Sequence, residues 1–510
     1  MKRILPLLLA ICLLTGLFSG CDYQPDDYVP TGDGLSDVTG TPVQKPSNQT
    51  QNLTLAYYPD RSLNPYDCTD FTNRSLFPLL YQSLFSVDRN YQVVPILCDR
   101  YSISVDMRTY TIYPAAATFS DGTVLTPADV AASLQAAKTG SYYAGRFQHI
   151  SSITATGDAV IITLDTPMEN LPLLLDIPIV KASEVKSPSP LGTGPYVMDE
   201  SLGSKRLRRS SLWWCDGDLV ITAQYIPLLP GTSPNNIRDQ FEFADLELVC
   251  ADPGSDTYAD YRCDYELWDI ENGIFLYLVC NSKSTVFAND SVRRALTHAI
   301  NRDYLADTFY RGFARSAELP ASPLSPYYDS SLAERYRYDS AKMTAAVEAA
   351  GFTGASITLL LNADDSLRLR AGRAIGDMLS ACGLQVTLME VNSSEFIEQV
   401  KWGKYDLYLG QTRLSSNMDL TAFFAKNGTL NYGGLADTTA YAMCLEALAN
   451  QGNYYNLHKE VMDDGQLCPI LFRSYAVYAT RGLVTQLTPA RDNMFFYTTG
   501  RTMADALITP

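Results

Sequence analysis

Between Ala374 and Val391 the sequence AIGDMLSACGLQVTLMEV passes from a helical pattern, through one glycine, directly into an alternating run. Helix, glycine cap and strand in that order leave no room for a long connection. The helix must therefore lie back along a sheet, which is how α/β lobes are built. Other stretches repeat the two ingredients. LTLAYY, TYTIYP, AVIITL, IFLYLVC, SITLLL and LQVTLMEV read as strands. SVRRALTHAINRDYLADTFY, DSAKMTAAVEAAGF and SLRLRAGRAIGDMLSACGL read as helical patterns, and the last two reach a glycine where a C-cap is wanted. A chain of 510 residues is too long for one core, so two or three domains of α/β class are expected.

The N-terminus is built differently. MKRILPLLLAICLLTGLFSGC has Lys2 and Arg3, then an apolar run from Ile4 to Leu14 that is short for a membrane span, then small residues. That is the layout of a secretory signal over residues 1–20. Its close on Ser19-Gly20-Cys21 resembles the lipobox of bacterial lipoproteins, with Phe18 where that pattern usually has Leu. The resemblance implies lipidation of Cys21 and a membrane held through an N-terminal lipid; an ordinary cleavable signal is the alternative. Residues 21–50, rich in Pro, Gly, Ser, Thr and Asp, lack apolar periodicity and read as a flexible tether. Of 11 cysteines, Cys12 and Cys21 fall in this region, and the odd remainder excludes a complete disulfide framework. Most are expected as buried thiols, with Cys250 and Cys263 a weak disulfide candidate. A net charge of −17 argues against a nucleic-acid partner, which demands a basic footprint.

The stretch FSDGTVLTPADVAASLQAAK, Phe119 to Lys138, carries scaffold signals and no chemistry. Asp121-Gly122 is a turn, Thr126 an N-cap with Pro127 at the first helical position and Asp129 three residues on, and Val130, Leu134 and Ala137 form an apolar stripe. The stretch also resembles the F-x-D-G-x-x-L-T-A-x-D-V-x-x-S signature of extracellular solute-binding proteins of family 5, the oligopeptide and dipeptide receptors of ABC importers. Further segments resemble that family in order: the region from SLNPYD through LLYQSLF to PILCDRY, then GTGPYVM, FLYLVCNSKSTVFANDSVRRALTHAINRDYL, YDSAKMTAAVEAAGF, and KYDLYLGQT with CPILFRSYAVYATRGLV.

The resemblance implies a two-lobed periplasmic-binding-protein-like α/β fold with an extra subdomain inserted in the first lobe. Lobe 1 is then expected at 51–86 and 190–268, the insertion at 87–189, lobe 2 at 269–476, and a return to lobe 1 at 477–510. It implies a monomeric receptor on the outer face of the bacterial cytoplasmic membrane that closes on a ligand, most simply an oligopeptide. Its partners are an ABC permease and separate ATPase subunits, since the chain has no phosphate loop. A receptor for a nickel chelate, a sugar or another non-peptide stays open, as does a sensing lipoprotein without transport.

No catalytic arrangement stands beside this. His149, His298 and His458 lie apart, in no H-E-x-x-H and beside no metal-type ligand at ligand spacing, and no G-x-S-x-G elbow occurs. Neither enzyme activity, metal nor cofactor is expected. Asp252 with Asp256, and Asp463 with Asp464, fall in polar stretches and are expected to be solvated. In peptide-binding members of the family a carboxylate after the YDL strand meets the ligand amine. Asp419, in GQTRLSSNMDLTAFF, aligns best with it, although Leu420 replaces the usual Pro. Asp419 could equally be an N-cap. Arg413 and Asn417 in the same stretch, Tyr57 and Tyr58 ending the first strand, and Trp268 and Trp402 as aromatic walls complete the ligand-binding candidates.

Overall fold

The computed structural model describes residues 53–215, 217–483 and 487–501, with the backbone of 507–509. The signal, Cys21 and the tether lie outside the described residues.

An 11-stranded sheet organises the chain. Two long antiparallel strands at its centre, Glu266–Cys280 and Leu467–Ala479, make it continuous. On one side Leu55–Tyr57 lies between Tyr225–Pro230 and Leu248–Ala251, parallel to both. On the other, Ser356–Asn362 lies parallel to Gln385–Val391 and Leu407–Arg413. The pairing of the two long strands slips between Glu271 and Phe275. Asn272, Gly273 and Ile274 are set there against Arg473 alone, and Gly273 takes a left-handed φ of +73°.

The run IFLYLVC shows why these strands look continuously apolar. Phe275, Tyr277 and Val279 join a core with Tyr408 and Phe423, while Leu276, Leu278 and Cys280 join another with Leu359 and Leu407. Both faces are covered, so no polar alternation survives in the sequence.

Residues 98–164 form a separate sheet of Cys98–Ser104, Thr109–Pro114, Ala159–Leu164 and Ile150–Thr156, to which the C-terminal strand Leu507–Thr509 adds in parallel beside Cys98–Ser104. The helix Pro127–Thr139 packs on it. Its capping box is complete: Asp129 N–H donates to Thr126 Oγ1 at 3.4 Å, and Thr126 N–H donates to Asp129 Oδ2 at 2.9 Å. Val130, Leu134 and Ala137 are fully buried.

Three expectations are corrected. The stretch 291–310 is two helices, Asp290–Ala299 and Arg302–Tyr310, because Asn301 caps the second one. Cys250 and Cys263 are free thiols. Strand alternation puts Cys250 on the sheet face covered by a third core, which includes Leu248 and Val477, whereas Cys263 packs with Val249 and Phe241 on the opposite face. The acid pairs are not simply solvated. Asp252 pairs with the buried Arg473 at 3.0 Å, and Asp463 takes hydrogen bonds from Tyr336 and Lys459 at the end of a helix.

Candidate functional site

A cavity of about 400 Å³ opens between residues 141–148, which follow the capped helix, and residues 412–430, which run on from the last two residues of the strand Leu407–Arg413. Arg413 and Asp419, separated by a loop, both line it, and Arg491 reaches it from the C-terminal part of the chain. Its volume lies within the range of small-molecule sites.

Asp419 is engaged from across this gap. His149 Nε2 stands 3.0 Å from Asp419 Oδ2, and His149 Nδ1 is 3.4 Å from Asp165. The other Asp419 oxygen accepts from Thr421 N–H and Oγ1 at 2.8 and 2.7 Å. Burial disfavours the charged imidazole, but the hydrogen bond to Asp419 and the charges of Asp419 and Asp165 outweigh it and raise the His149 pKa. Asp419 therefore accepts from the first N–H of the short helix Thr421–Phe424, whose N-cap is Leu420, and its second oxygen meets a side chain of the protein itself.

Behind the cavity lies a dense arginine cluster. Arg413 donates to Tyr142 and to Tyr475 Oη, the latter at 3.0 Å. Arg146 pairs with Asp176 and, at 3.2 Å, with Asp492. The Arg74 guanidinium sits 3.3 Å over the Tyr142 ring and donates to Tyr143. A tight turn, in which Ala490 and Asn493 exchange backbone hydrogen bonds and Asp492 has φ +57°, places Arg491 and Asp492 at its tip. Burial alone would raise the Asp492 carboxyl, but the surrounding arginines hold it well below the usual carboxylate range. Burial raises Asp176, against the opposing charge of Arg146.

The other candidates are placed elsewhere. Asn417 is fully buried, donates to Asn170 and accepts from Ser415, so its amide is spent on packing. Tyr58 lines a second cavity of about 210 Å³ with Phe71 and Asp252, at the carboxyl ends of parallel strands. Tyr57, one residue earlier, is buried in the core. Trp268 lies in the long strand opposite Val477 and packs on that core. Trp402 ends a helix, 59% exposed, with the Lys404 ammonium over its ring. Sequence reasoning missed Arg146 and Arg491 and left His149 without a role. Each is remote in sequence from Arg413 and Asp419, and no local pattern joins them.

Among the described residues no group of three or more His, Cys, Asp or Glu could hold a metal ion, and no helix is long and apolar enough to cross a membrane. The arrangement offers paired charges and hydrogen-bond donors, not a nucleophile beside a base.

Residues 92–432 match the family of bacterial extracellular solute-binding proteins, family 5 (middle). The glutathione-binding protein GsiB of Escherichia coli K12 is 24% identical over 392 residues, covering 73% of this chain and 74% of its own. Two solved structures share the two-lobed periplasmic-binding-protein fold. The ABC transporter substrate-binding protein CtaP of Listeria monocytogenes superposes with a TM-score of 0.71 at 18% identity, over 88% of this chain and 98% of its own. NikA of Brucella suis, in complex with Fe(III)-EDTA, gives 0.66 at 18% identity, over 84% and 95%.

Proposed function

This chain belongs to the bacterial extracellular solute-binding proteins of family 5, and from that premise we propose that it captures a small ligand, an oligopeptide foremost, and delivers it to an ABC permease served by separate ATPase subunits. The observation that carries the reading is the 400 Å³ cavity walled by residues 141–148 and 412–430, with charged side chains on both walls. A ligand that touches both walls favours the closed arrangement, and a permease that recognises that arrangement receives the ligand. No reaction is part of this proposal. The signal and Cys21 support a receptor tethered by lipid to the outer face of the cytoplasmic membrane, working as a monomer. The lobe boundaries, with 87–189 as the insertion, belong to the same reading.

A second reading, a non-peptide ligand such as a metal chelate, is favoured by one observation. Asp419, the residue aligned with the family's amine anchor, already holds His149. The solved relative carrying Fe(III)-EDTA gives that reading a precedent in the fold.

Native mass spectrometry of the gently purified full chain tests the choice. Bound masses resolving to peptides establish the peptide reading and give the ligand length. A clean protein mass, with no thermal shift across a peptide library, refutes it.

A further inference from the structure

The cavity that the receptor reading assigns to the ligand is lined by three arginines, Arg146, Arg413 and Arg491, and one acid, Asp419. The acid is already met by His149 and Thr421. The arginines differ in how far they are satisfied. Arg146 is held by Asp176 and Asp492, and Arg413 by Tyr142, Tyr475 and Asp492. Arg491 makes one hydrogen bond, from Nη2 to the Leu414 carbonyl at 2.6 Å. Its Nε and Nη1 have no partner among the described residues, although the residue is only 6% exposed.

A buried guanidinium with two idle donors is costly unless something accepts from them. Asp176, Glu271 and Asp492 lie near enough for their charges to act on Arg491, but none accepts a hydrogen bond from it among the described residues. Asp176 and Asp492 belong to Arg146 and the tyrosine network, and Glu271 accepts from Tyr91 and Ser322. The backbone is shaped to let Arg491 in. A Cβ on Gly273 would stand 2.4 Å from the Arg491 Cζ, so only glycine leaves room for the guanidinium. The geometry points to a carboxylate of the ligand as the missing partner. Resting on the receptor reading, we infer that this cavity selects small ligands of net negative charge, a carboxylate being held by Arg491 with Arg413 beside it, and that no ligand amine need bind Asp419. A planar guanidinium fork matches a carboxylate in two parallel hydrogen bonds, which lysine cannot reproduce.

The test is calorimetry on the full chain with four probes: Glu-Ala-Glu, Ala-Ala-Ala, propane-1,2,3-tricarboxylate and inorganic phosphate. The expected result is at least tenfold tighter binding of Glu-Ala-Glu and the tricarboxylate than of Ala-Ala-Ala. Arg491→Gln should remove at least tenfold of that affinity. Should that variant not fold, Arg413→Gln, on a partly exposed side chain, should lower the affinities for Glu-Ala-Glu and the tricarboxylate by a larger factor than that for Ala-Ala-Ala, which brings a single carboxylate. Equal binding of Ala-Ala-Ala and Glu-Ala-Glu overturns the charge selection and leaves the receptor reading standing. Binding of phosphate alone overturns the carboxylate assignment. If no probe binds while native mass spectrometry still detects a bound neutral or basic ligand, the inference fails and the receptor reading survives. A chain that binds no probe and carries no ligand loses both.

Discussion

His458 is a sensitive test of how this fold is held together. Its imidazole lies on the helix Tyr454–Asp464, fully buried, 5.8 Å from the Tyr454 ring, and neither ring nitrogen has a hydrogen-bond partner among the described residues. Burial alone pushes its pKa down to about 3. In the unfolded chain the ordinary value is about 6.5, so the unfolded state takes up a proton that the folded state refuses. This stability is present above pH 6.5 and is lost progressively as the pH falls towards 3, at about 1.4 kcal/mol per pH unit. Between pH 6.5 and 5.0 that amounts to about 2 kcal/mol. His458→Leu keeps a similar volume and removes both the titration and the unpaired polar atoms. The variant should be more stable than the parent by about 1–2 kcal/mol at pH 7.5, where only the unpaired atoms count. The gap should widen by about 2 kcal/mol at pH 5.0. Urea unfolding followed by circular dichroism at both pH values, in reductant, measures the two gaps. A gap that does not change with pH would refute the reasoning, because it would mean that the folded imidazole accepts the proton as readily as the unfolded one.

His149 should behave in the opposite sense. Its raised pKa means that the contact with Asp419 contributes fully below about pH 6.5 and fades as the pH rises through the folded value. His149→Phe should therefore cost about 1–2 kcal/mol at pH 6 and less at pH 9, read from unfolding midpoints. Gly273→Ala places a methyl group against Arg491 and an alanine at φ +73°. It should cost at least about 1 kcal/mol of stability and weaken Glu-Ala-Glu binding in calorimetry. Thr126→Ala removes one half of the capping box and should cost about 1 kcal/mol, seen as a lower urea midpoint with an unchanged slope.

Much of this architecture was legible because it is local. The capping box at Thr126, the glycine-terminated helices and the six alternating or apolar runs are each specified within a few residues. Arg413 and Asp419 could be singled out because one ends and the other follows a recognisable strand. Their partners could not. His149 is 270 residues from Asp419, and Arg491 lies 77 residues beyond the Leu414 carbonyl it meets, so sheet closure rather than local pattern brings them together. The same limit explains the pairing proposed for Cys250 and Cys263. Thirteen residues apart in sequence, they sit on opposite faces of a sheet, a separation fixed by which strands flank Leu248–Ala251. The partners of Asn417 were illegible for a related reason: Asn170 and Tyr454, which hydrogen-bond with it, come from distant segments.

The absence of any disulfide among the described cysteines shifts oxidative risk from the native protein to its unfolded form. Cys68, Cys98, Cys280, Cys382, Cys444 and Cys468 are buried, and burial raises each thiol above its ordinary pKa, leaving little of the thiolate that oxidants attack. Once the chain opens, those thiols regain their ordinary reactivity and can cross-link in arrangements the fold cannot accommodate. Reversible refolding therefore depends on the surrounding redox potential, whereas in the folded protein these six thiols are shielded and only the half-buried Cys215, Cys250 and Cys263 stand nearer the surface among the described cysteines.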